Sequence, residues 1–508
     1  MRKDWVESTL GEISDVGAGS PAPQGQKYFE KGSIPFIRVK DMGKLGNSKV
    51  ISDAEDHLNE KGTVKLKLIP KGSLLFTKSG ASTLLNQRAL INRDMYVVSH
   101  IGFATPSEAI TSNYLYYIMK LVDFAIFAHA TTLPSLPLSK AKGITIPLAP
   151  LPEQRAIVAK IEELFSDLDS GIADLKKAQD QLKIYRQAVL KKAFEGELTK
   201  EWREQQTDLP TADELLEQIK IGRQEFFDKQ IEEWEFELKK WKEEGESGKK
   251  PKKPRPITVP DPPNKGHEER KWSIPENWIW TQIGDLCFVT KLAGFEYTDY
   301  VNYVEDGDLP VLKAENAGPN GFKKTDYSKV KSESVQMLTR SQIFGGELLV
   351  VFVGAGTGNV AMVPLNQRYF LGPNIGMARP YFELNSKYLE LFLQSALGKS
   401  LLMSAVKAVA QPSLSMGTIR QAPIAFPTLK EQHQIVQEIE SRLSVCDNIE
   451  QNITESLEKA KALRQSILKK AFEGKLLTEE ELKACKAAPD YEPASVLLER
   501  IKEEKVKN

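Results

Sequence analysis

Arg186-Gln187-Ala188-Val189-Leu190-Lys191-Lys192-Ala193-Phe194-Glu195-Gly196 returns as Arg464-Gln465-Ser466-Ile467-Leu468-Lys469-Lys470-Ala471-Phe472-Glu473-Gly474. Nine of the eleven positions are identical, at an offset of 278. The same offset aligns Glu153-Gln154 with Glu431-Gln432, Ile157-Val158 with Ile435-Val436, and Pro134-Ser135-Leu136 with Pro412-Ser413-Leu414. Chance does not hold one register from Pro134 to Gly196. The period exceeds the few tens of residues of a solenoid unit. It is the length of a domain plus a connecting helix. The chain is therefore a tandem duplication, whose halves a pseudo-two-fold axis can relate.

A chain of 508 residues has room for three or four domains with real cores. No run of about 18 apolar residues occurs, so no membrane span is expected. The start, Met1-Arg2-Lys3-Asp4-Trp5, lacks an apolar signal core. Cys287, Cys446 and Cys485 lack metal-ligand spacing and read as reduced thiols of a cytoplasmic protein. Net charge is zero, but its distribution is uneven. Residues 1–146 hold 18 Lys+Arg against 13 Asp+Glu, and residues 271–424 hold 14 against 13. The remaining stretches, 147–270 and 425–508, hold 37 against 43. Neutral to mildly basic globular parts beside acidic helices are compatible with DNA binding through local patches.

The first globular region, about 1–146, is rich in short strand-like runs: Ile34–Val39, Ser73–Thr77 and Met95–Val98. One helix is expected over about Ser112–Ala128. The second region, about 272–424, follows the same plan with far lower identity than the helices show. Trp5 aligns with Trp278, Gly72 with Gly346, and Tyr114-Leu115 with Tyr388-Leu389. Helices that stayed alike do one job twice; globular parts that diverged do parallel but different jobs.

Each long helix follows a proline-rich exit, Pro147–Pro152 in the first copy. Leu164, Leu168, Ile172, Leu175, Leu182, Val189 and Ala193 recur at spacings of three, four and seven. Leu443, Cys446, Ile453, Leu457, Ala460, Ile467 and Ala471 do so in the second copy. Both fit a coiled-coil seam, stopped by Gly196 and Gly474. The expected fold class is α+β: two mixed α/β domains joined by two long antiparallel coiled-coil helices. The alternative is that each helix packs on its own domain. About 45 residues make a rod of about 65 Å. The rods occupy 147–199 and 425–478. Residues 200–271 form a charged helix and a Pro/Lys-rich linker, and 479–508 a helical tail. Ala212–Lys220 aligns with Ala494–Lys502, so a further helix repeats after each rod.

Two divergent globular regions, each followed by a near-identical helix, resemble the specificity subunit of type I restriction-modification systems over nearly the whole chain. The stretch Pro152–Phe165 resembles the start of that family's conserved helix, and Leu190–Leu198 its end. The resemblance implies that each globular region is a target recognition domain reading one half of a split double-stranded DNA site. It implies that the helices set the spacer and dock two methyltransferase subunits, with two restriction subunits able to join. Segment 200–270 exceeds the minimal family plan. Two unlike readers and two like helices suit an asymmetric target and a duplicated partner site. The rod length is comparable to about two turns of B-DNA at roughly 34 Å each.

Other motifs are weaker. Val353–Asn359 resembles the glycine-rich loop of a methyltransferase binding S-adenosylmethionine, but that motif needs a following helix. Here Pro364 follows quickly, and a strand-to-strand turn is the better reading. Asp261-Pro262-Pro263-Asn264 has Asn where an amino-methyltransferase tetrapeptide has a base-stacking aromatic. The chain reads as non-catalytic, with no catalytic, cofactor-binding or metal residues. A self-contained methyltransferase and a coiled-coil adaptor whose globular parts bind proteins are the alternatives. Asn86-Gln87-Arg88 and Asn366-Gln367-Arg368 suggest phosphate contacts or structural turns. Candidate base readers, among residues that differ between the copies, are Lys40, Lys78, Arg93, Lys313, Arg340 and Arg379, with solvated surface charge the plainer reading of each. The partner surface is expected at Leu190, Phe194, Leu468 and Phe472.

Overall fold

A computed structural model describes residues 2–46, 48–127, 134–247, 250–254, 273–404 and 413–507. The chain divides into two units. One comprises residues 1–177 and 453–508, the other residues 178–452.

The first globular part has strands β1 (Val6–Thr9), β2 (Ser14–Ala18), β3 (Ile34–Ile37), β4 (Val50–Ile51), β5 (Asp56–Leu58), β6 (Leu68–Ile69), β7 (Leu74–Thr77), β8 (Arg88–Ile91), β9 (Met95–Val97), β10 (Ile101–Pro106) and β11 (Thr145–Leu148). The second has β12 (Ile279–Gln282), β13 (Cys287–Lys291), β14 (Leu309–Leu312), β15 (Ala317–Gly318), β16 (Gly321–Phe322), β17 (Lys329–Val330), β18 (Gln342–Ile343), β19 (Leu348–Val351), β20 (Val360–Met362), β21 (Tyr369–Leu371), β22 (Ile375–Pro380) and β23 (Pro423–Phe426). Each sheet of the first part has a counterpart in the second, where β4 has no equivalent and β15–β16 form an additional ribbon. The orders β2-β10-β7-β8-β4 and β5-β3-β9-β6 correspond to β13-β22-β19-β20 and β17-β14-β21-β18. The ribbon β1–β11 corresponds to β12–β23. Even the parallel pairing of β3 with β9 returns as β14 with β21. The duplication seen in the helices therefore extends to the globular topology, where sequence identity is low.

The apolar runs explain the strands. Leu74-Leu75-Phe76-Thr77 is buried throughout, as a central strand covered on both faces must be. Alternation sends Leu74 and Phe76 to a core shared with helices, and Leu75 to a core lined by the strands β3 and β9. Leu348 and Val350 against Leu349 and Val351 repeat this division in β19. Two expectations change. The helix from Ser112 ends at Leu121, and Phe124–Ile126 form a single 3-10 turn. There the Arg88 guanidinium donates to the Val122 carbonyl, and Phe124 N donates to the Asn86 side chain. Tertiary partners thus take the backbone groups a longer helix would need; Ala128 lies outside the described residues. The run Ile34–Val39 stays a strand only to Ile37, because Asp41 accepts from Arg38 N and starts a short helix at Val39.

The long helices are Leu151–Phe194 and Leu429–Phe472, each 44 residues. Their bounds differ by the same 278. Both end identically. Glu197 N donates to Lys192 O at 2.9 Å and Gly196 N to Ala193 O at 3.1 Å. Lys475 N to Lys470 O and Gly474 N to Ala471 O repeat the pattern at 2.8 and 3.1 Å. This double closure needs a left-handed residue, and Gly196 (φ +75) and Gly474 (φ +73) supply it. Between the ends, seam residues are buried or half-buried, from Leu164 to Ala193 and from Leu443 to Ala471. In the first unit Arg464 pairs with Asp169 and lies 4.5 Å over Phe165. In the second, Arg186 pairs with Asp447 at 2.7 Å and Glu450 at 3.0 Å. Arg186 and Arg464, and Asp169 and Asp447, are equivalent positions of the repeat, so each unit makes the same bond. Within each unit the early part of one helix lies beside the late part of the other, which is antiparallel pairing.

The expected docking residues are core residues. Leu190, Phe194, Leu468 and Phe472 are buried. Phe194 meets Tyr388 and Phe392 edge-on at 5.6 and 5.1 Å, and Phe472 meets Tyr114 at 5.1 Å. Their recurrence reflects two equivalent joints between a helix end and a globular part. The helices after the rods pack likewise: Leu215 and Ile219 in the second unit's core, Leu497, Leu498 and Ile501 in the first's. Lys502 there pairs with Glu12 at 2.9 Å.

Cysteines placed at Asp169 and Arg464, or at Arg186 and Asp447, should be joined by a thiol-reactive crosslinker of about the length of an arginine side chain; failure of both pairs would contradict the antiparallel register. The Glu12 carboxyl is held at about 2, first by Lys502 and then by Thr9. Its stabilisation is therefore complete above the ordinary carboxylate range and fades as pH falls through about 2. Lys502→Met should raise the Glu12 pKa measured by NMR and abolish the acid dependence that this pair gives to attachment of the tail helix.

Candidate nucleic-acid interface

Past the end of β7 the chain turns through Lys78-Ser79-Gly80. Gly80 has φ +84 and open space where a Cβ would stand, so the backbone angle alone calls for glycine. The turn is tied to residues 134–136: Gly80 N donates to Pro134 O at 2.9 Å and Leu136 N to Lys78 O at 2.7 Å. Ser79 and Ser135 form an isolated β-bridge. The β9–β10 turn closes on the same place. Lys78 N donates to His100 O at 3.0 Å, and Ser79 Oγ lies 2.7 Å from His100 Nδ1.

The second copy builds the same frame from other side chains. Leu414 N donates to Phe352 O at 2.8 Å, and Val353 bridges Ser413. Gly354 has φ +102, again with open space. By topology Phe352 stands where Lys78 does, Val353 where Ser79 does, and Asn374 where His100 does. Lys291, at the end of β13, places its ammonium 4.9 Å from the Phe352 ring. The glycine-rich stretch 353–359 is the turn joining β19 to its antiparallel neighbour β20, closed by Val351 N to Asn359 O and Gly358 N to Val351 O, both 2.9 Å. No helix follows it. Asp261–Asn264 lies outside the described residues.

The structure separates the candidate readers. Lys40 pairs with Glu55 at 2.5 Å and Asp56 at 3.4 Å, and Arg93 with Asp53 at 2.9 Å. Arg340 grips both Glu296 oxygens at 2.7 Å, and Arg379 pairs with Glu347 at 3.2 Å. Lys313 donates to Ser328 Oγ at 2.6 Å and lies 4.7 Å from the Tyr303 ring. Lys78 makes no such ion pair among the described residues. It is the member of the set that the fold places on the bridged turn. Ser79, His100, Ser135, Lys291 and Asn374 were not legible as candidates. Their signal is the Pro134–Leu136 repeat, whose meaning depends on which turns the sheets bring to it.

The two Asn-Gln-Arg triplets occupy different turns. Asn86–Arg88 leads into β8, whereas Asn366–Arg368 leads into β21, the counterpart of β9. They share a left-handed Asn, φ +49 and φ +64. Arg88 is 2% exposed, donates to Gln87 O, Asn86 Oδ1 and Val122 O, and lies 3.5 Å over Phe124. Of the two readings open for it, burial favours the structural turn over phosphate contact. Arg368 is exposed, 5.8 Å from the Phe344 ring. Arg88→Leu should cost about 2–4 kcal/mol by leaving buried acceptors unmet. It should leave the slope of log affinity against log salt unchanged; a flatter slope at full stability would return Arg88 to a phosphate.

Comparison with known proteins gives one answer. The model of the type I restriction modification DNA specificity domain matches residues 2–178 and 275–459. The chain is 21% identical over 517 residues to the type I restriction enzyme EcoBI specificity subunit of Escherichia coli, covering 99% of this chain and 93% of that one. It is 32% identical over 201 residues to the MjaIX specificity subunit of Methanocaldococcus jannaschii, 39% of this chain and 45% of that one. The HsdS subunit from Thermoanaerobacter tengcongensis superposes with a TM-score of 0.54 at 17% identity, covering 94% of this chain and 98% of that one. A chain from a structure concerned with complex assembly of the type I R-M system gives 0.64 at 17% identity, covering 94% and 99%. With a match on each globular part and on both long helices, the chain belongs to the type I restriction modification DNA specificity family.

Proposed function

We propose that this chain is the DNA-recognition subunit of a type I restriction-modification complex, and that its two globular parts each read one half of a bipartite double-stranded target. The carrying observation is that two globular parts of one topology present different side chains on the same bridged turn, and each is joined to a near-identical long helix. The helices then set the distance between half-sites. They also serve as the repeated framework for two modification subunits, with restriction subunits joining the same assembly in the cytoplasm. No helix among the described residues is long and apolar enough to cross a membrane. Recognition, not catalysis, is the role: sequence enters through groove contacts, position through phosphate contacts.

Since the packed ends Leu190, Phe194, Leu468 and Phe472 belong to the cores, partner contacts fall to the outward faces of the rods. Ile184, Tyr185, Val445, Ile449 and Leu463 are exposed there. Exchanging residues 272–424 for the equivalent region of a relative, within the full complex, should change one half of the methylated target. The other half and the spacer should stay. A change in both halves would overturn modular reading, and absence of salt-dependent DNA affinity would favour a protein-binding adaptor.

A further inference from the structure

We propose that the bridged turn at the end of β7 and of β19 is the reading head of each globular part. In this head Ser135 and Ser413 hold the DNA backbone, while Lys78, Ser79 and His100 in one copy, and Lys291 and Asn374 in the other, contact bases. The proposal rests on the functional reading above and assigns it to residues.

Two domains that read different sequences can share only sequence-independent contacts. Whatever discriminates must differ between them. The bridged turn meets both conditions at one place. Its frame is common: the Ser79–Ser135 and Val353–Ser413 bridges, the Leu136 N–Lys78 O and Leu414 N–Phe352 O bonds, and an open left-handed glycine, Gly80 or Gly354. Leu136 and Leu414 are buried and explain their own recurrence by packing. Ser135 and Ser413 are not buried, and packing does not require a hydroxyl at either. A neutral donor kept in both copies suits a phosphate oxygen.

The side chains around that frame are unlike. The first head offers Lys78, whose backbone N–H donates to the His100 carbonyl, together with the Ser79–His100 pair; an ammonium and a hydroxyl–imidazole pair can supply donors for the O6 and N7 acceptors of guanine. The second brings its lysine from another strand, Lys291, and presents exposed Asn374 where His100 stood. An Asn amide matches the N6 and N7 edge of adenine. The other cations weighed as readers are held by carboxylates or, in Lys313, by Ser328 and a tyrosine ring. The competing surface is at the opposite end of the second sheet, where Phe344 lies beneath Arg368 and Arg379 at 5.8 and 5.6 Å.

The test uses the full chain co-expressed with its modification partners, reading the methylated motif genome-wide and DNA affinity by titration. Lys78→Ala with His100→Ala should relax one half of the motif, with a loss of discrimination of roughly ten- to a hundredfold, and leave the other half intact. Lys291→Ala with Asn374→Ala should do the reverse. Ser135→Ala with Ser413→Ala should weaken binding to target and random DNA by the same factor and change neither half. Lys78→Met, which keeps the aliphatic stem, repeats the first arm should the double variant lose its wild-type melting transition. If the wild-type complex shows a bipartite motif and the head variants leave it unchanged, the assignment is wrong. It is equally wrong if Phe344→Ala with Arg368→Ala alone relaxes a half-site. If the wild-type complex shows no bipartite motif, the functional reading itself fails.

Discussion

A buried glutamine fastens each long helix to its globular part. Gln154 accepts from Thr111 N and donates to the carbonyls of Ala109 and Ala149. Gln432 accepts from Asn385 N and donates to Pro427 O. One amide thus satisfies backbone groups on the helix approach and on the loop before the globular helix. Burial makes each of those groups costly to leave unmet. The glutamate beside it extends the clamp, Glu153 to the Trp5 indole at 2.8 Å, Glu431 to Thr199, Arg203 and Asn277. Sited in the first turn, these carboxylates also face the positive end of the helix dipole. The orientation of a rod relative to the sheet it leaves depends on these two side chains.

The far end of each rod is fixed by different physics. Phe194 and Phe472 enter aromatic cores, and a glycine in the left-handed region stops the helix one residue beyond Glu195 or Glu473. Polar clamp, apolar plug and backbone stop account for the recurrence of Glu153-Gln154, Phe194 and Gly196, and the helix–helix ion pair for that of Asp169 and Arg186. The repeated phrases record joints. The surfaces between them are free to vary.

That division governs what could be read from the chain. Helix limits, seam and stops were legible because local rules determine them: a seven-residue apolar repeat and a Gly that tolerates φ above zero. Central strands β7 and β19 were legible as unbroken apolar runs. The role of Phe194 and Leu468 was not. An apolar residue on a repeated helix looks the same whether it meets a partner or its own domain, and only the long-range placement of Tyr388 or Tyr114 decides. The matching triplets at Asn86 and Asn366 left two readings open for a related reason. Each marks a turn that needs a left-handed residue, and the chain has several such turns. His100 and Lys291 were invisible because strands far apart in sequence bring them to Ser79 and Phe352.

The Arg–Asp bond has a further implication. Asp169 and Arg186 lie on one helix, Asp447 and Arg464 on the other, so each helix carries both members of a bond that it completes with its counterpart. A chain of one half alone would already hold a whole self-complementary edge. An ancestor of half this length could have assembled from two identical copies, presenting two identical readers. Fusion of those copies into one polypeptide would then have freed the readers to drift apart, at no cost to the contact that joined them.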